Sequence, residues 1–307
     1  MEFLGEKFLM INALAAVMAI ALIFIFVFRE ALPIFYDDTV QEEASLDKMT
    51  FKQIWQEGRD PKWSWQPESE LPKFSLMPLF VGSLKAALVA MLFAVPLGVG
   101  AAIYSAEFAS RRVREFIKPI IELLAGVPSV VLGFFALIVL ATILQNLFGY
   151  TYRLNVFNAG IALGLAVVPI VFTIAEDAMT AVPRSLRDAS LALGANPWQV
   201  SMTVVLPAAM PGIAAGVVLG FGRAIGETMI VLMASGNAAL VSAGFFDSVR
   251  TISATIAAEM GEVVFGSTHY NVLFFLGTLL FVFTFGLNLG GEVVLSRVKE
   301  RMQGKTS

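Results

Sequence analysis

The sequence predicts an all-α polytopic membrane protein with six transmembrane helices, and three observations predict it. Of its 307 residues, 57% are hydrophobic and only 15% charged, with a mean hydropathy of +0.78, whereas soluble domains carry about 45–50% apolar and about 25% charged residues. Six stretches stay apolar over the roughly 20 residues needed to cross a hydrocarbon core about 30 Å thick. Lys and Arg gather in alternate connections, as the positive-inside rule requires. The same composition excludes several function classes. With no cysteine there is no disulfide, thiolate metal site or Cys nucleophile. The single His269 furnishes neither a His-based zinc site nor a Ser-His-Asp triad. A net charge of −3 without a basic tract argues against a general nucleic-acid binder.

The six expected spans are residues 8–28, 76–104, 119–148, 158–175, 208–235 and 271–295. The first is too long for a signal-peptide core and runs into Arg29-Glu30 without a small-residue cleavage site, so it reads as an uncleaved span. The fourth is the shortest and carries Pro169 near its middle. The loop after span two holds Arg111, Arg112, Arg114 and Lys118, the loop after span four Arg184 and Arg187, and the tail Arg297, Lys299, Arg301 and Lys305. The opposite short loops offer only Arg153 and Arg250, so both termini are expected in the cytoplasm.

The chain then divides into an N-terminal transmembrane helix (1–29), an external acidic segment (30–74), a five-helix core (75–296) and a cytoplasmic tail (297–307). The external segment carries ten carboxylates against five Lys/Arg. Its Trp55, Trp63 and Trp65 fit either the membrane interface or an external partner. Between spans five and six, Val249, Ile252, Ile256 and Met260 recur at helical spacing, with Asp247 as the expected N-cap of an amphipathic helix at the outer mouth. Lys85 is expected to snorkel outward, Glu176 and Asp177 to cap the inner end of span four, and His269 to lie on the surface.

The segment between spans four and five is expected to expose chemistry of a different kind. Residues 185–205 read as two short amphipathic helices broken at Gly194-Ala195-Asn196-Pro197, with Leu206-Pro207 ending the element. In span five, Gly212, Gly216, Gly220, Arg223 and Glu227 fall within about 80° of one another on a helical wheel. Small residues at four-residue spacing admit a close helix approach. Arg and Glu at mid-membrane each cost about 2.5–3.5 kcal/mol on insertion scales, so they should face a partner or a wet path. The residues alone leave open an internal Arg–Glu pair or a pair on a substrate path.

Asp188-Ala189-Ser190, three residues, Gly194, nine residues, then Val204-Val205-Leu206-Pro207 resembles the Glu-Ala-Ala loop of ABC importer permeases, with Asp for Glu, Ser for Ala and Val for Ile. Residues 121–131 (Ile-Glu-Leu-Leu-Ala-Gly-Val-Pro-Ser-Val-Val), 222–229 (Gly-Arg-Ala-Ile-Gly-Glu-Thr-Met) and 255–260 (Thr-Ile-Ala-Ala-Glu-Met) are similar to membrane subunits of the phosphate-specific ABC importer, the C-type more than the A-type. The resemblance covers roughly residues 75–300. It implies the type I ABC importer permease fold, in a bacterial or archaeal cytoplasmic membrane. It implies that segment 181–207, with Asp188, Ala189, Gly194, Leu206 and Pro207, docks an ATPase, and that Arg223 and Glu227 lie on the phosphate path. The partners it implies are a related second permease, two ABC ATPases that carry ATP and Mg²⁺, and an external phosphate-binding protein. No cofactor is expected on this chain, since Gly304-Lys305-Thr306 lacks the glycine, strand and helix of a phosphate loop. The alternatives are an A-type subunit, a permease for molybdate, sulfate or an amino acid, and a proton-driven secondary transporter. An intramembrane enzyme would need paired catalytic groups at membrane depth.

The orientation is testable because the chain has no native cysteine. In intact cells Ser45→Cys should react with an impermeant thiol reagent, while Ser110→Cys and Ser190→Cys should not. Reversed labelling would overturn the topology.

Overall fold

The computed structural model describes residues 2–54 and 60–302; Trp55 and the terminal Gly304-Lys305-Thr306 lie outside them. Helices α1 (Glu2–Ala31), α2 (Pro33–Tyr36), α3 (Asp38–Ala44) and α4 (Leu46–Thr50) precede a short antiparallel pair, β1 (Trp65–Gln66) and β2 (Lys73–Phe74), with Trp65 opposite Phe74. There follow α5 (Met77–Ile103), α6 (Arg111–Ala125), α7 (Ser129–Phe135), α8 (Ala141–Phe148), α9 (Val156–Thr180), α10 (Arg184–Ala192), α11 (Pro197–Val200), α12 (Leu206–Gly226), α13 (Met229–Ala234), α14 (Ile252–Glu259) and α15 (Thr268–Met302). Wider π turns extend α5 (Tyr104–Phe108), join α7 to α8 (Ala136–Leu140) and join α11 to α12 (Ser201–Val205).

Six helical stretches among the described residues are long and apolar enough to cross a membrane: Glu6–Tyr36, Met77–Phe108, Ser129–Phe148, Val156–Thr180, Pro197–Gly226 and Thr268–Val293. The third starts at Ser129 rather than at residue 119. The intervening residues belong to α6, an amphipathic helix none of whose side chains is fully buried. Gly126 ends α6, its N–H bonding the carbonyls of Glu122, Leu123 and Leu124, and Pro128 sets the extended backbone from which α7 starts. The fourth span is not short: α9 is capped by Asn155, whose side chain accepts from Asn158 N at 2.9 Å, and it runs past Glu176 and Asp177 to Thr180.

The chain forms two compact units, Met1–Met77 with Thr255–Val282, and Pro78–Ala254 with Phe283–Ser307. In the first, α1 packs on the first half of α15 through Phe24–Phe281 and Phe26–Phe274, with ring centroids 4.6 and 5.7 Å apart. Asn271 Nδ2 donates to Glu30 O at 2.8 Å, closing the free carbonyl end of α1. The segment after α1 is folded. Asp37 caps α3, accepting from Thr39 N and Thr39 Oγ1, and these bonds hold its carboxyl below the ordinary value of 3.8. Ser45 caps α4, and Trp63 Nε1 donates to Thr50 O at 3.1 Å.

In the second unit α9 is the buried element. α5 meets it where a Cβ at Gly160 would stand 2.4 Å from Val89 Cγ1 and one at Gly164 3.0 Å from Ala90 O. α12 meets it at the glycine stripe: Cβ atoms at Gly212, Gly216 and Gly220 would stand 2.4 Å from Ala178, 3.1 Å from Ile174 and 3.0 Å from Val167. Phe172, Ala175, Met179, Val205, Ala209 and Ile213 fill the space where α9 and α12 run together. Close backbone approach replaces the hydrophobic drive that lipid cannot supply between helices.

The two kinds of glycine should respond oppositely to alanine. Gly160→Ala should lower stability by about 1–3 kcal/mol through overpacking against Val89. Gly286→Ala, where nothing lies within 4 Å of the added carbon, should leave stability unchanged or raise it slightly. Thermal unfolding of the detergent-purified protein reads both.

Candidate functional site

The connection between α9 and α12 is an exposed helical hairpin. Pro183 holds an extended turn (φ −57°, ψ 137°) from which α10 begins. Gly194 adopts φ +89°, a left-handed conformation that suits glycine, and its N–H returns to Leu191 O at 2.9 Å. Asn196 and Gln199 then form a reciprocal capping box, at 2.8 and 2.9 Å, with Pro197 in the first turn. Leu206-Pro207 does not end the element, contrary to the sequence reading. α11 passes through the π turn into α12, Leu206 N bonding Ser201 O, and this wider turn accommodates the proline ring that a plain α-helix would drive against a carbonyl.

Asp188, Ala189 and Gly194 are exposed on this hairpin, as are Leu186, Leu191, Trp198 and Leu193, the last at 90% of its full surface. An apolar cluster of this kind on a surface marks an interaction site. Beneath it Arg187, Arg114 and Lys118, expected only to set the orientation, are paired with Glu107 and Glu176. Arg187 Nη2 reaches Glu107 Oε1 at 2.8 Å and Met179 O at 2.9 Å, while Nη1 reaches Val182 O at 2.5 Å. Glu176 does not cap α9 toward water. It is 4% exposed and takes Lys118 Nζ at 3.0 Å and Arg114 at 4.0 Å, tying α6 to α9. The hydrogen bond to Glu176 raises the Lys118 pKa above its ordinary 10.5, so the tie contributes stability below that value and loses it only as pH rises through the raised pKa.

The expected single helix over 208–235 is broken. α12 ends at Gly226, Glu227 is extended (φ −68°, ψ 132°), and α13 starts at Met229. Glu227 has therefore left the helical stripe, which ends at Arg223. The break is satisfied locally: Ser253 Oγ donates to Glu227 O at 2.8 Å, Thr228 Oγ1 to Gly226 O at 3.3 Å, and Thr228 N to Glu227 Oε1 at 3.2 Å. Arg223 is exposed in the last turn of α12. Among the described residues it has no hydrogen-bond or ion-pair partner, and no ion pair joins it to Glu227. The sequence signal for the break was the run Gly226-Glu227-Thr228 in an otherwise apolar span.

Three further expectations change. The helix at 252–259 is shorter than the expected 247–260 and is not a surface helix. Residues 251–255 are buried, and Thr251 Oγ1, not Asp247, accepts from Ala254 N. Lys85 reaches the loop between spans five and six but is not left to water; its ammonium donates to Ser242 O at 3.2 Å and Gly244 O at 2.6 Å, clamping the loop before Asp247. His269 is not a surface residue: Nε2 lies 2.9 Å from Glu259 Oε2, and Trp65 Nε1 donates to the same carboxylate at 3.1 Å. Trp65 is thus an internal anchor of the segment after α1.

Six membrane-length helices, an exposed apolar hairpin between the fourth and fifth, and a helix broken at a charged residue define a membrane transport component. The chain belongs to the family of binding-protein-dependent transport system inner membrane components, whose model matches residues 94–299. It is 36% identical over 222 residues to the probable ABC transporter permease protein YqgH of Bacillus subtilis, covering 72% of each chain. It is also 36% identical over 257 residues to the phosphate transport system permease protein PstC of Mesorhizobium japonicum, covering 78% of each. The crystal structure of a bacterial alginate ABC transporter, in complex with an alginate pentasaccharide-bound periplasmic protein, matches over 96% of both chains with a TM-score of 0.58 at 15% identity, a likeness of fold.

Ser253→Ala should leave Glu227 O without its donor, lowering stability by about 1–3 kcal/mol. Unfolding in detergent that matches the parent protein would show that another group satisfies the break.

Proposed function

We propose that this chain is the permease subunit of an ATP-driven inorganic phosphate importer, of the C-type, forming half of the translocation pathway. Its similarity to PstC proteins supports the substrate, and one observation in the site carries the reading: Arg223, exposed beside a break in a membrane-spanning helix, is not consumed by an internal partner. A guanidinium at membrane depth is costly unless it faces a wet path, and its planar fork matches an oxyanion. Irregular backbone at that depth is tolerated where it is satisfied by the protein or lines a cavity.

In this reading both termini and the α10–α11 hairpin are cytoplasmic, in the inner membrane of a bacterium or archaeon. A related second permease completes the pathway. Two ABC ATPases, which bind ATP and Mg²⁺, dock on the hairpin around Asp188, Ala189, Gly194 and the exposed leucines, with Leu206 and Pro207 leading into α12. An external phosphate-binding protein delivers substrate. Closure of the ATPases moves the hairpins, and the two permeases exchange outward-open for inward-open states.

In this reading Arg223 supplies positive charge, and Glu227, when ionised, accepts a hydrogen bond from the O–H that phosphate carries and sulfate lacks. An acceptor left unpaired by sulfate costs about 1–3 kcal/mol, or roughly tenfold to a hundredfold in discrimination. Uptake of phosphate into proteoliposomes holding the whole transporter should require ATP, and Arg223→Ala should lower it. Glu227→Gln should relax discrimination against sulfate about tenfold, since the amide can donate to an unprotonated oxyanion. Uptake driven by a proton gradient without ATP would sink the reading, and unchanged selectivity in Glu227→Gln would remove the proton-acceptor role.

A further inference from the structure

Helix α10 is nearly free of packing. None of its residues is buried, and Leu186, Asp188, Ala189, Leu191 and Ala192 are all exposed. Arg187 is its anchor. One guanidinium reaches Glu107, 80 residues earlier in the chain, together with the carbonyls of Met179 and Val182 at the end of α9. The Arg187 and Glu107 side chains retain only 20% and 10% of their surface, so the pair is largely withdrawn from water and screened little.

Glu107 lies in the π turn Tyr104–Phe108 that ends the membrane-length stretch of α5. That turn touches both arms of the hairpin. Glu107 holds α10, while the ring of the next residue, Phe108, lies 5.7 Å from Trp198 of α11. Its other side is gripped by Arg114 of α6, whose Nε and Nη2 take Ser105 O at 2.8 Å and Ala106 O at 2.6 Å. A π turn carries surplus backbone in a wide ring and is a common place for a functional bend.

We propose that the Arg187–Glu107 pair is the joint that delivers a load on α10 to the ends of α5 and α9, so that both are positioning residues for transport and not for docking. The inference rests on the hairpin's being the ATPase-docking element. A displacement of α10 pulls Glu107 and Met179 O through one rigid planar group. α9 then carries it along the glycine contacts to α12, whose last turn holds Arg223. Without the pair, α10 keeps the covalent turn through Pro183, the bonds from Arg187 to the carbonyls of α9 and its route through α11 into α12, but it loses its direct tie to the end of α5, and less of its motion reaches that helix.

The test uses the complete transporter in proteoliposomes. Glu107→Gln keeps the shape and an acceptor oxygen while removing the charge. It should co-purify with the ATPase and hydrolyse ATP as the parent does, yet import less solute per ATP by about fivefold. In a transporter freed of other cysteines, Glu107→Cys with Arg187→Cys should be uncoupled as free thiols. It should regain import per ATP when bridged by a reducible bis-methanethiosulfonate linker, and lose it again on reduction. Parent stoichiometry in Glu107→Gln, or no recovery on bridging, overturns the joint. Loss of ATPase from both variants also overturns it, by making the pair a docking element. Import of a solute other than phosphate by the parent would remove the phosphate reading alone, because the ratio of import to hydrolysis can be read with any solute carried.

Discussion

Every backbone N–H and C=O at membrane depth must find a partner within the protein, and the rest of this structure depends on that demand. Continuous helices meet it by themselves. The instructive places are those where the helix is wound differently or stops, because there the freed carbonyls are taken by side chains from elsewhere in the chain. In the π turn at 136–140, Leu137 O accepts from Arg153 at 2.9 Å. In the one at 104–108, Ser105 O and Ala106 O accept from Arg114. At the gap between α12 and α13, Ser253 and Thr228 serve Glu227 O and Gly226 O, and the last carbonyl of α13, Ala234 O, takes Asn158 Nδ2 at 3.0 Å. Lys85 does the same for the loop carbonyls of Ser242 and Gly244. Charged groups that are costly in lipid are placed where they satisfy irregular backbone.

That use of cations gives Arg223 its meaning. Arg114, Arg153 and Arg187 each end on carbonyls or carboxylates, and Lys118 on Glu176. Arg223 ends on nothing among the described residues, although it stands one turn from a break that needed donors. A guanidinium without an internal partner in such a place is what the proposed phosphate path calls for.

Packing and coupling follow from one arrangement. Because α9 is lined by glycines on its own surface toward α5 and faces the glycines of α12, backbones approach closely and little side-chain slack separates them. Close-packed contacts transmit displacement rather than absorb it. The hairpin between α9 and α12 is different: its second arm is seated by Val200, while α10 is exposed, lightly packed and tied at Arg187. An element with little packing of its own, joined by a stiff charged link to tightly packed helices, can be moved by a partner without unfolding anything.

The sequence by itself determined the number of spans, the hairpin between the fourth and fifth, its turn at Gly194, the glycine face of α12 and the resemblance that identified the family. These are written in local hydropathy, periodicity and turn chemistry, which need no knowledge of distant residues. Only the tertiary structure decided where helices are interrupted. Apolarity does not distinguish a helix that continues past Gly226 from one that stops there, since Ser253, 26 residues away, decides whether Glu227 O can be satisfied. It likewise decided that α6 lies apart from the third span, that Leu206-Pro207 sits inside a continuing helix, and that the segment around Thr251 is buried. Lys85, Glu176 and His269 read as solvent-facing because a charged residue near a helix end usually is. Each is instead held by a partner on another element, namely Gly244, Lys118 and Glu259. The Arg187–Glu107 pair belongs to the same class: two charges 80 residues apart leave no pattern along the chain, and folding alone brings them to 2.8 Å.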